Sequence, residues 1–177
     1  MKNSALEAVK LGILRVASKG HPYPGKHGNY KPYVVDSRGA GTNIELRTLI
    51  LNEMQCALLE LTPYDVIGGI AKSGIMWGSM LAQILQQPYA TILPDEPRKS
   101  GLQRQIEGDV VGANVVLIDN WSRTGRTIEA ATKKVFDAGG KVSGVILISC
   151  PNALEVEITH CKVIWTLPEL IEAQSYI

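Results

Sequence analysis

The sequence predicts an α/β protein built on a parallel sheet with helices on both faces, and three observations carry that expectation. Short apolar runs at 66–71, 89–93, 115–119, 142–149 and 163–167 read as buried strands, rich in Val and Ile. Helical spacing of apolar residues falls between them, over 75–86 and again from Ile128 through Ala131 and Val135 to Ala138. The strands are apolar along their length instead of alternating. Such strands belong to sheets covered on both faces, and their alternation with helices makes the sheet parallel.

The elements follow in chain order. Ser4 and Glu7 have capping-box spacing, and Leu6, Val9, Ile13, Val16 and Ala17 recur at helical intervals, so an amphipathic helix is expected to open the chain. Residues 18–42 break that rhythm with Gly20, Pro22, Pro24, Gly25, Gly28, Pro32, Gly39 and Gly41, and only "YVVD" at 33–36 looks like a strand. Thr42 and Glu45 suggest a second capping box, opening a helix whose apolar stripe runs through Leu46, Leu49, Ile50, Met54, Ala57, Leu58 and Leu61. The helix over 75–86 stops before Pro88, and the one from Ile128 stops at Gly139 and Gly140. The remaining gap, 94–113, is expected to be a functional or disordered loop, because structureless stretches of that length are uncommon inside a compact domain.

Composition excludes several classes of function. A chain of 177 residues can bury about two thirds of its unfolded surface without cross-links, so residues 1–177 are read as one domain. With 18 Lys and Arg against 17 Asp and Glu, the net charge of +1 gives no global field for nucleic acid or a membrane surface, and the expected partner is a small molecule. Cys56, Cys150 and Cys161 have no CxxC spacing and sit in apolar runs, which suggests reduced core thiols. His21, His27 and His160 share no metal-ligand spacing. No apolar run approaches ~18 residues, and the start lacks a signal-peptide core, so a soluble, cytoplasmic protein is expected.

The stretch "NVVLIDNWSRTGRT", residues 114–127, carries the chemistry. Ligands of open parallel sheets bind beyond the carboxyl ends of the strands. Here a strand ends in Asp119 and Asn120, and a loop of Ser122, Arg123, Thr124, Gly125, Arg126 and Thr127 leads straight into a helix. Free backbone N–H groups and the positive end of the helix dipole suit a phosphate, Gly125 permits close approach, and Asp119 can accept from sugar hydroxyls. The alternative is that Asp119 or Ser122 simply caps the helix. Neither GxxxxGK[ST] nor GxGxxG occurs.

These residues resemble the phosphoribosyl-pyrophosphate (PRPP) motif of the type I phosphoribosyltransferases: an apolar strand, two acids and a short Thr/Gly loop. Three other segments resemble the orotate phosphoribosyltransferase branch. They are "GGIAKSGIMWGSMLA" at 68–82, "RKSGLQRQIEGD" at 98–109, and "KPYVVDSRG" at 31–39, which is similar to "PYYIDLR". The resemblance implies the type I fold, with residues 1–42 supplying a helix and a hood segment. It implies that Asp119 and Asn120 hold the ribose and that residues 122–127 hold the 5′-phosphate; in the shortened stretch after Lys99, Arg104 and Gln105 are left as the nearby donors, with Arg104 the catalytic candidate. Pyrophosphate falls to Lys72, Ser73, Gly74, Arg98 and Lys99, and the base to Lys26, Tyr33 and Arg38. Mg²⁺ is expected to ride on the diphosphate, which suits an ion that keeps waters and needs few protein ligands. A homodimer sharing Arg98 and Lys99 between subunits is also implied.

The sequence departs from the family's pattern where the chemistry sits. Asn120 replaces the second acid, Arg123 the first Thr of the loop, and Trp121 a small aliphatic residue. The stretch after Arg98 and Lys99 is shorter, and "ISCPNALEVE" at 148–157 lacks the Arg expected near orotate's carboxylate. The expectation is therefore an orotate phosphoribosyltransferase-like enzyme of nucleotide biosynthesis. The alternative is a PRPP- or nucleotide-binding regulator with lost or weak catalysis.

Overall fold

A computed structural model describes residues 3–24, 29–61, 63–95, 102–151 and 160–177. Helix α1 (Asn3–Lys10) is followed by four short strands, β1 (Leu14–Val16), β2 (Tyr23–Pro24), β3 (Tyr30–Lys31) and β4 (Tyr33–Val35), and then by helix α2 (Ile44–Leu58). The body continues through β5 (Val66–Ile70), α3 (Ser73–Leu85), β6 (Tyr89–Ile92), β7 (Ile106–Glu107) and β8 (Asn114–Trp121). It ends with α4 (Arg126–Asp137), β9 (Lys141–Cys150), β10 (Cys161–Thr166) and α5 (Leu167–Gln174).

Six strands form one sheet in the order β10-β9-β8-β5-β6-β7. All neighbours are parallel except β6 and β7. Because successive strand residues face opposite sides, β8 feeds two apolar layers. Val116 and Ile118 join Leu46, Ile50, Met54, Trp77, Leu81 and Trp165 on one face, while Val115 and Leu117 join Ile128, Ala131 and Val135 of α4 on the other. Burying each such aliphatic side chain stabilises the fold by about 1.5–3 kcal/mol, which is why β8 reads as continuous oil. β8 thus occupies an interior position, and its carboxyl end opens between β5 and β9.

The structure corrects several boundaries. α1 stops at Lys10 because Gly12 turns the chain at φ +92°, which sends Ile13 and Val16 into the β1 region instead of along a helix. Ser4 does not cap α1; its hydroxyl accepts from Trp165 Nε1 at 3.2 Å. Asn43, not Thr42, caps α2, its side chain accepting from the Leu46 N–H at 3.1 Å. The stretch 94–113 holds β7, so it is not wholly structureless. Helix α5, an element beyond those expected, follows a complete capping box of Thr166 and Glu169 with Pro168 inside the first turn. Of the cysteines, Cys150 is buried and Cys161 half-buried, its thiol pushed up to about 11 by burial, whereas Cys56 is exposed and not a core residue.

Candidate functional site

β8 runs beyond its apolar stretch to Trp121, which pairs with Ser149 of β9, so Asp119, Asn120 and Trp121 are strand residues held by ladder bonds. Asp119 is buried at 6% exposure, and Asn120 and Trp121 are half-buried. Burial pushes the Asp119 carboxyl up to about 6, against the opposing pull of the Asn120 N–H, which donates to it at 2.7 Å, and of the Arg38 guanidinium.

The segment after β4 folds over this tip. β4 is paired with β1, and Asp36 donates its N–H to the Ile13 carbonyl at 2.7 Å. Its carboxylate accepts from Gly39 N–H at 2.9 Å and from Arg15 Nε at 3.3 Å. Ser37 and Arg38 are thereby carried to β8, where Ser37 Oγ accepts from Asn120 Nδ2 at 3.0 Å.

Beyond Trp121, the loop is shaped by its own hydrogen bond, Gly125 N–H to Ser122 Oγ at 3.1 Å. Gly125 holds φ +74°, a left-handed conformation that strains any side-chain-bearing residue. The first bond of α4 runs from Glu129 N–H to the Gly125 carbonyl, which leaves the N–H groups of Arg126, Thr127 and Ile128 outside the helical ladder. Ser122, Arg123, Thr124, Arg126 and Thr127 line a cleft of about 470 Å³ together with Asn29, Lys31 and Trp121. A larger cleft of about 950 Å³ lies beside it, lined among others by Lys31, Tyr33, Arg38, Asn120, Trp121, Arg123, Pro151 and Leu167. Lys31, Trp121 and Arg123 form the wall common to both.

The third part of the tip is the start of α3. The helix begins at Ser73, two residues earlier than the periodicity suggests, after Lys72. Gly74 lies so close to β8 that an added Cβ would fall 2.0 Å from the Ile118 carbonyl oxygen and 3.2 Å from Asp119 Cα. Tyr89, whose phenol is pushed up by burial, donates to the Ile75 carbonyl at 3.3 Å and accepts from Thr91 Oγ1 at 3.3 Å, bracing the same turn.

The strand tip, the 122–127 loop, the first turn of α3 and the hood residues Tyr33 and Arg38 are therefore gathered on one edge of the sheet. Arg104 is not among them. It is exposed just before β7, beside the carboxyl end of β6 and three strands away from β8, and lines neither cleft. Lys26, Arg98 and Lys99 lie outside the described residues. Ser37 and Leu167 were not expected at the site. Nothing local in the sequence marks Ser37, whose significance is a contact across 83 residues. Among the described residues, no group of three His, Cys, Asp or Glu side chains could hold a metal by itself.

No protein-family model matches the chain. Comparison with curated proteins finds an orotate phosphoribosyltransferase of Pyrobaculum islandicum, 34% identical over 143 residues, which covers 80% of this chain and 68% of that protein. An orotate phosphoribosyltransferase of Lactobacillus johnsonii is 32% identical over 178 residues, covering 96% of this chain and 82% of its own. Among solved structures, the orotate phosphoribosyltransferase of Aeropyrum pernix superimposes with a TM-score of 0.81 at 21% identity, covering 98% of both chains. That of Mycobacterium tuberculosis in complex with PRPP gives 0.65 at 24% identity, with 96% of this chain and 93% of that one covered. The sheet and its phosphate-type loop share the type I phosphoribosyltransferase fold of these structures, and the chain belongs to the orotate phosphoribosyltransferase family.

Proposed function

We propose that this chain binds PRPP across the two adjoining clefts and transfers its phosphoribosyl group to a nucleobase, with orotate the first candidate. The observation that carries this reading is the common wall of Lys31, Trp121 and Arg123, which makes the phosphate-type loop and the larger cleft two ends of one site with Asp119 and Asn120 at the strand tip beside them. The 5′-phosphate takes the free N–H groups of α4 and the hydroxyls of Thr124 and Thr127. Asp119 and Asn120 accept from ribose hydroxyls, and the diphosphate lies at Lys72, Ser73 and Gly74. In the reaction, a ring nitrogen forms a bond to the anomeric carbon while the bond from that carbon to the diphosphate oxygen breaks. The electron pair leaves with pyrophosphate, and the ring nitrogen loses its proton.

Mg²⁺ fits this donor set as an ion carried in by the diphosphate. One buried carboxylate beside an amide oxygen suits a cation that keeps its waters and phosphate ligands better than it suits one held in an all-protein cage. Lys31, Arg38 and Arg123 around the larger cleft favour an anionic ring such as orotate. No nucleic-acid or membrane partner is proposed; no helix among the described residues is long and apolar enough to cross a membrane. A homodimer is expected from the family resemblance, and sedimentation showing monomer alone at micromolar concentration would count against it.

A second reading, a PRPP- or nucleotide-binding regulator with weak chemistry, is favoured by Asn120, which keeps a hydrogen-bond acceptor but brings no charge to steady a cationic transition state. Calorimetric titration with PRPP and Mg²⁺, repeated with orotate and its nucleotide and paired with a turnover assay, separates the readings. Binding with turnover supports the enzyme, binding without turnover supports the regulator, and absence of PRPP binding defeats both.

A further inference from the structure

Asn120 and Ser37 meet from opposite ends of the chain, Nδ2 donating to Oγ at 3.0 Å. Ser37 is 1% exposed and sits on a turn braced by Asp36, whereas Asn120 lines the larger cleft. Neighbouring side chains of the strand tip thus each face a residue of the same short segment: Asp119 the charge of Arg38, and Asn120 the hydroxyl of Ser37.

A primary amide has a donating and an accepting end, and one left free to turn offers either to a ligand. Here Ser37 Oγ takes the nitrogen, which anchors the side chain and turns the oxygen away from Ser37. We propose that Ser37 is a positioning residue: its buried hydroxyl anchors the amide nitrogen of Asn120 and so holds the side chain where the amide oxygen can accept from a sugar hydroxyl. This rests on the reading of the strand tip as a ribose site. It gives Asn120 a definite recognition role even where its missing charge slows chemistry, and it makes sugar-hydroxyl recognition depend on a residue that touches no ligand.

The test is calorimetry on the full chain with ribose 5-phosphate, its 2-deoxy and 3-deoxy analogues, and inorganic phosphate. The unmodified protein is expected to prefer ribose 5-phosphate over at least one deoxy analogue. Ser37→Ala should shrink that preference by about 3- to 10-fold, the worth of one neutral hydrogen bond, while inorganic phosphate binds unchanged. Asn120→Ala should remove the same preference, and the double variant should lose no more than Asn120→Ala alone. A preference that survives in Ser37→Ala, or a loss shared equally by inorganic phosphate, overturns the proposal, because the first shows no positioning and the second only a structural role. If the unmodified protein binds neither ribose 5-phosphate nor phosphate, the sugar-phosphate reading itself falls and this proposal with it.

Discussion

At the scale of single residues, the two polar side chains at the end of β8 differ in what burial does to them. Asp119 must lose water to sit at 6% exposure, and desolvation outweighs both the Asn120 N–H and Arg38, leaving its carboxyl at about 6. Between the ordinary carboxylate value of 3.8 and about 6, the folded protein binds a proton that the unfolded chain has released. Stability from this group therefore falls as pH rises through that window and stays low above it. Asp119→Asn should stabilise the fold at pH 7 to 8 by on the order of 3 kcal/mol at most, seen as a higher melting temperature, and give no gain near pH 3 to 4, where the acid is already neutral. Thermal melts across that range check it; an equal gain at every pH would mean that the effect is packing and not ionisation. Asn120 is neutral, so it spares Asp119 a like charge next door. Asn120→Asp should restore charge at the anomeric carbon and raise any turnover by up to about 10²- to 10³-fold, with PRPP affinity altered little. Ser37 can donate to the new carboxylate as readily as it accepts from the amide. Assays of both forms with PRPP, Mg²⁺ and a panel of bases decide the point, and a fall in turnover with the acid would make the amide a functional choice.

At the scale of elements, the site depends on how closely α3 and α4 approach the sheet. Gly74 allows the first turn of α3 to lie against the Ile118 carbonyl, and a Cβ there would meet backbone, which cannot swing aside. Gly74→Ala should destabilise the fold by about 1–3 kcal/mol and weaken pyrophosphate binding, since relief requires α3 to move away from Asp119. Denaturant unfolding and pyrophosphate titration measure the two effects, and full stability with full affinity would show that the helix has room to shift. The start of α4 makes a different demand. Gly125 is needed for its left-handed backbone whether or not a phosphate is bound, so a bulky residue there would fail for conformational reasons alone, and Thr127→Ala is the cleaner probe of the loop.

At the scale of the whole molecule, three tryptophans report on different regions. Trp77 and Trp165 are fully buried in the layer that covers one face of the sheet, whereas Trp121 is half-buried on the wall between the clefts. PRPP or a nucleotide should change tryptophan emission in the unmodified protein, and Trp121→Phe should abolish most of that change. A ligand-dependent signal that persists without Trp121 would place the response in the core and speak against the shared wall.

How far the sequence reached follows from the range over which each feature is encoded. Strands β5, β6, β8, β9 and β10 and helices α2, α3 and α4 were legible because the period and length of an apolar run report local burial. The phosphate-type loop was legible because Ser122 to Thr127 carry their chemistry in consecutive residues. Strands β1, β2, β3 and β7 were not, since two- or three-residue ladders exist only when a distant partner supplies the other half. Likewise, Asp119 announced itself as an acid at a strand end, but its raised proton affinity comes from tertiary burial, and Arg104 looked near the motif in sequence while the pairing of β7 with β6 sets it three strands away from β8. By itself the sequence determined the sheet, the loop and the family's pattern of residues. The tertiary structure decided that Ser37 meets Asn120, that Gly74 meets Ile118, and that Lys31, Trp121 and Arg123 join two clefts, because each of these is a contact between segments far apart in the chain.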